Sequence, residues 1–139
     1  MPRKTDSNNP ADWLWIAALD MELIRLAAER ELGHAAARSK LAEVLEKIMK
    51  AELLRLGWRL VKTHDLRFLH RAIGERNSEL AAQAEPLCIE LAEVYFTDRY
   101  PGFDFSDPDW PAFRAQVAAV DVLFDEVKKR VEAPSDGTG

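Results

Sequence analysis

Arginine and histidine together can manage a phosphate: a guanidinium offers its charge through directed hydrogen bonds, and an imidazole moves a proton near neutral pH. Arg59 and His64 stand five positions apart in the run RLVKTH. The pair is therefore a candidate for metal-independent RNA cleavage, against the plainer reading of a basic loop that leads into a helix cap. His64 is followed by Asp65, whose carboxylate could orient the imidazole or help hold a polar ligand near a helix terminus. The simpler use of this stretch is structural, with Thr63 as an N-cap and Asp65 favouring the electropositive first turn. Arg99 and Tyr100, followed by Pro101 and Gly102, form a second polar candidate that could bind phosphate and stack on a base, or anchor a turn. Trp110, Phe103, Phe105 and Phe113 lie beyond it, interrupted by Asp104, Asp107 and Asp109, and are expected to pack the segment onto the helices.

Other chemistries lose support. The histidines are His34, His64 and His70, and the single cysteine, Cys88, stands in no short metal-ligand spacing with them, so no metal site is expected. One cysteine also excludes an intramolecular disulfide and fits a reducing compartment. A dinucleotide-binding glycine pattern, a P-loop, HExxH and an EF-hand loop are all absent, and no cofactor is expected.

Residues of this kind need a scaffold, and 139 residues with 47% apolar and 31% charged side chains are enough for one substantial core. The net charge of −5 argues against a protein coated broadly by nucleic acid or seated on an anionic membrane. The charge is uneven: +2 over residues 1–70 and −7 over residues 71–139, which draws an anionic ligand to the first half. No segment has the length of a membrane span or the pattern of a signal peptide, and a cytoplasmic location is expected.

The periodicity predicts an all-α bundle of four or five substantial helices. After a tail at 1–8, Asn9 and Pro10 open a helix to about Leu32, with Ile16, Leu19, Leu23 and Leu26 recurring at helical spacing and Trp13, Ala17, Met21 and Ile24 widening the arc. Asp20 falls among these apolar positions and requires hydrogen bonds or a basic partner. A second helix runs from about His34 to Leu56, with Ala37, Leu41, Val44, Leu45 and Ile48 on its apolar face. Its Lys40, Lys47 and Lys50 form another side, expected to be a solvated basic face. A short helix follows around Leu66, Leu69 and Ile73, and a weaker one spans about Ser78 to Asp98, where Pro86 either kinks it or starts it anew. The last runs from about Trp110 to Val131, capped by Asp109, ahead of a tail at 133–139. The broad apolar sectors of the first two helices leave room for both an intrachain core and a dimer face.

DWLWIAALDMELIRLAAE at 12–29, LAEVLEKIMKAEL at 41–53, THDL at 63–66 and DRYPG at 98–102 together resemble a HEPN-domain protein over roughly residues 11–131. Asp20 matches the acidic position of that family's first long helix. Glu46, Lys47, Lys50 and Ala51 match its E-K-x-x-K-A pattern, and Arg99, Tyr100 and Pro101 match its R-Y-P form. The resemblance implies a homodimer of long helices around a central cleft, and a role beside a nucleotidyltransferase-like protein in a defence or toxin-antitoxin module. Some members are metal-independent RNases with an R-x(4-6)-H motif, but Arg99 is followed by YPGFDFSDPDW, and no histidine occurs after His70.

The leading expectation is accordingly a dimeric binding or regulatory protein in a domain spanning 9–132. Lys47, Lys50, His64, Asp65, Arg99 and Tyr100 are its ligand-binding candidates, nucleotide or RNA its possible ligand, and Asp20 a structural polar residue. The alternatives are a divergent RNase using Arg59, His64 or Arg99, and a structural adaptor that binds no nucleotide.

Overall fold

Asn9 closes the first turn of α1 (Pro10–Arg30): its side chain accepts from the Ala11 amide at 3.0 Å, and Pro10 occupies the first turn, where its missing N–H costs nothing. The helix ends in a left-handed residue, Glu31 at φ 55°, and the Leu32 amide returns to the Ala27 carbonyl at 3.1 Å. Gly33, at φ 63°, then starts α2 (His34–Arg55), so the two long helices form a hairpin. These relationships come from a computed structural model, which describes residues 7–92, 94 and 108–133. Arg99, Tyr100, Phe103, Phe105 and the acidic residues between 103 and 108 lie outside the described residues, as does most of each expected tail.

A Schellman turn ends α2. Gly57 at φ 87° lets its own amide reach the Leu54 carbonyl and the Trp58 amide reach that of Leu53, at 3.0 and 2.9 Å, and folds the Trp58 ring into the core. The next helix begins later than the sequence suggested. Asp65, not Thr63, is the N-cap of α3 (Leu66–Glu75), accepting from the Arg67 and Phe68 amides at 2.9 and 3.3 Å. Thr63 acts one step earlier, its hydroxyl accepting from the Asp65 amide at 3.0 Å. Asn77 at φ 57° turns the chain into α4 (Leu80–Leu91). Pro86 sits inside that helix on its exposed side, where water can reach the carbonyl it leaves without a donor. The last described helix is α5 (Trp110–Glu132), capped by the Asp109 side chain on the Ala112 amide at 3.0 Å.

All five described helices are α-helical and no strand occurs among the described residues, as the periodicity predicted. α2 is the central element and packs on each of the other four. Its Leu41, Val44, Leu45, Ile48, Ala51 and Leu53 are fully buried, and each large aliphatic side chain so enclosed stabilises the fold by about 1.5–3 kcal/mol. α5 lies across α1, α2 and α4, and the Arg25–Asp121 and Arg114–Glu31 ion pairs brace its flank against α1.

The face that α1 buries is the one carrying Leu14, Ala17, Met21, Ile24 and Ala28. Ile16, Leu19, Leu23 and Leu26, the more conspicuous stripe in the sequence, are 41–61% exposed. The other described helices close the core without them.

Candidate functional site

Two residues of α2, one turn apart, organise the polar interior at the end of the bundle where α1 begins. Glu46 and Lys50 are buried, and the Lys50 ammonium donates to Glu46 Oε2 at 2.8 Å. The same ammonium lies 5.1 Å from the centre of the Trp13 ring, over its electron-rich face. The other carboxylate oxygen, Glu46 Oε1, is 2.8 Å from His64 Nδ1. With a carboxylate as acceptor, Nδ1 is the nitrogen that carries the proton in this contact. Glu46 thus ties a buried helix position to the connection after Trp58. The His64 ring itself remains mostly open to solvent, its side chain 65% exposed.

This corrects the expected solvated lysine face. A buried ammonium must have a carboxylate to offset its desolvation, and Lys50 has Glu46. Lys47 and Lys40 turn instead to Asp20 on α1, at 3.8 and 3.9 Å, which supplies the basic partners that Asp20 required. Lys47 and Lys50, both ligand-binding candidates in the sequence, are committed to carboxylates of the same chain. Asp65 is committed to capping α3.

A second buried polar centre surrounds Glu52. The Glu52 side chain is wholly buried, yet it accepts from Arg55 at 2.8 and 3.0 Å, from the Ser78 hydroxyl at 2.9 Å and from Arg130 at 3.1 Å. Burial alone would push its carboxyl up, but the hydrogen bonds from Arg55 and Ser78 and the charges of Arg55 and Arg130 outweigh it, and Glu52 titrates below the ordinary range. The cluster joins α2, the turn before α4 and α5. Its only local signal was a glutamate three residues before an arginine on a helix, and such pairs usually face water.

His64 lies within a strip of positive charge. Residues 55–71 carry five arginines and lysines and a single acid, Asp65, in a chain whose net charge is −5. Arg59, Lys62, Arg67 and Arg71 are all exposed. The remaining histidines are used elsewhere. His70 donates from Nε2 to the Ala81 carbonyl at 2.8 Å, pinning α3 to α4, and His34 meets the Trp110 ring edge-on at 4.9 Å and Phe113 at 5.5 Å. Among the described residues no group of three or more His, Cys, Asp or Glu is arranged to hold a metal ion. Cys88 is buried with its sulfur 3.7 Å from that of Met49, and burial, reinforced by the charge of Glu85, pushes its thiol up to about 12. It is a packing residue, not a nucleophile.

The class defined by this architecture is an all-helical bundle built on a long helical hairpin, with a buried Glu46–Lys50 pair that holds His64 on the connection before α3. The HEPN domain family model matches residues 11–112, and the chain belongs to the HEPN family. No curated protein and no solved structure matches the chain. No helix among the described residues is long and apolar enough to cross a membrane.

Proposed function

We propose that this chain is a homodimeric HEPN binding or regulatory protein that receives the phosphate of a nucleotide or RNA on the basic strip of Arg59, Lys62, Arg67 and Arg71. His64 sits within the strip, and a nucleotidyltransferase-like protein is the partner beside which the chain acts. The observation that carries this reading is the placement of His64: its Nδ1 is anchored 2.8 Å from a buried carboxylate, while its ring stands in a stretch, residues 55–71, that carries five arginines and lysines and a single acid. The charge of Glu46 is balanced within the chain by Lys50. The partner rests on the family alone.

The deciding measurement is fluorescence anisotropy of a labelled short RNA, with ATP as competitor, against the wild-type protein and an R67E/R71E variant. Saturable binding that the variant loses supports the strip. Absence of binding to RNA, to nucleotide and to a co-encoded nucleotidyltransferase-like protein would leave a structural adaptor. Incubation of the RNA with the protein in EDTA separates binding from the alternative RNase: cleavage lost in both R59A and H64A would make the pair catalytic.

A further inference from the structure

The exposed stripe of α1 extends further than its leucines. Asp12, Ile16, Leu19, Leu23, Leu26 and Arg30 follow one another at spacings of 4, 3, 4, 3 and 4, which is the seam of a coiled coil along one side of the helix. That side points away from the core, with Leu19 48% and Leu23 61% exposed. The order of residues along it is also symmetric about Met21: Asp12 and Arg30 are equidistant from that point, as are Ile16 and Leu26, and Leu19 and Leu23.

A seam with this symmetry fits a second copy of itself in only one direction. Run parallel, it would set acid against acid at one end and arginine against arginine at the other. Run antiparallel about a two-fold axis at Met21, it sets aliphatic against aliphatic through the middle and Asp12 against the opposite arginine at both ends. We infer that two copies of this chain pair through α1 in antiparallel register, with Leu19 meeting Leu23 of the partner subunit and Asp12 meeting Arg30 of the partner subunit. An isologous interface requires this kind of self-complementarity. The inference specifies the homodimer of the proposed function and rests on that part of it.

A neighbouring feature agrees with the register. The C-terminal half of the seam opens onto an apolar groove of about 450 Å³ between α1 and α2, lined by Leu23, Leu26, Ala27, Leu32 and Ala36. The antiparallel alignment lays Ile16 of the partner subunit opposite Leu26, over this groove, and by symmetry covers both grooves of the pair.

Sedimentation over a concentration series tests the pairing. The wild type is expected to dimerise, and Leu19→Lys to weaken the dimer by about a hundredfold, because one substitution acts twice across a two-fold axis. Leu19 is half exposed, so its thermal melt should match that of the wild type at concentrations where both are monomeric. Asp12→Arg and Arg30→Asp should each weaken the dimer by roughly three- to tenfold. Mixed together, the two variants should form a heterodimer at least as tight as the wild type, since every end contact is again opposite in sign. A monomer at all concentrations, a dimer indifferent to Leu19→Lys, or variants that fail to rescue each other would overturn the pairing. So would a co-encoded protein that occupies the seam of a monomeric chain. The RNA-binding measurement is independent, so a failed dimer with intact RNA binding removes the seam and leaves the basic strip standing.

Discussion

Glu46 and His64 lie eighteen residues apart and meet at 2.8 Å, a buried carboxylate on α2 holding the Nδ1 of an exposed imidazole on the connection that follows. The carboxylate is held in turn by Lys50, so removing different members should have very different effects. E46A strands the Lys50 ammonium in the interior and is expected to cost about 3–5 kcal/mol in urea unfolding, whereas E46L/K50M, which removes both charges, should recover most of it. H64A removes a largely exposed ring and should cost about 1.5 kcal/mol or less. If E46A and H64A destabilise equally, the contact is not organised as described.

Glu52 governs the acid side of stability. Its carboxyl titrates below the ordinary value of 4.5, so the folded state holds its proton more weakly than the unfolded chain does. The stabilisation is present in full above the ordinary glutamate range and fades as pH falls through 4.5 toward the lowered folded value. Urea melts of wild type and E52Q across this range should converge as the solution becomes more acidic, with E52Q the less stable at neutral pH. Parallel curves would show that Glu52 contributes nothing to the acid slope.

The Cys88 thiol, pushed up to about 12 and enclosed, is expected to resist a thiol reagent at pH near 8 in the native protein and to react fully once urea unfolds the chain. Rapid labelling under native conditions would show that the α2–α4 contact opens readily.

If the basic strip receives RNA, its affinity must fall with salt. Contacts to three or four phosphates predict a slope of log K against log salt near −2 to −3, on the basis of about −0.7 per phosphate for a single strand. Each of R59A, R67A and R71A should then lower the magnitude of the slope by about 0.7. A slope unchanged by all three would place the ligand elsewhere.

The helical boundaries were legible because caps and turns are local. Asn9 with Pro10, Asp109 with Pro111, and Gly57 each satisfy or release backbone groups within a few residues, and the helices begin or end beside them. Asp20 was legible as well, since a carboxylate among apolar neighbours must find a cation, and Lys47 and Lys40 serve. α3 starts two residues later than the sequence suggests because Thr63 and Asp65 are both competent caps, and only the path of the chain after Trp58 selects between them.

The sequence by itself determined that this chain is helical, roughly where each helix lies, and that it resembles the HEPN family. The tertiary structure decided which side of each helix faces inward. α1 carries apolar residues around more than half its circumference, so periodicity alone cannot say whether Leu14, Ala17 and Met21 or Ile16, Leu19 and Leu23 meet α2. Packing chose the face with the smaller alanine-containing surface, which lets the helices approach closely, and left the larger aliphatic face open. The same selection buried Lys50 and Glu52 and left Arg59 and Arg71 in water. A charge can be buried only where an opposite charge lies beside it: Lys50 has Glu46 one turn away on the same helix, but the second cation on Glu52, Arg130, arrives only once the helices have packed.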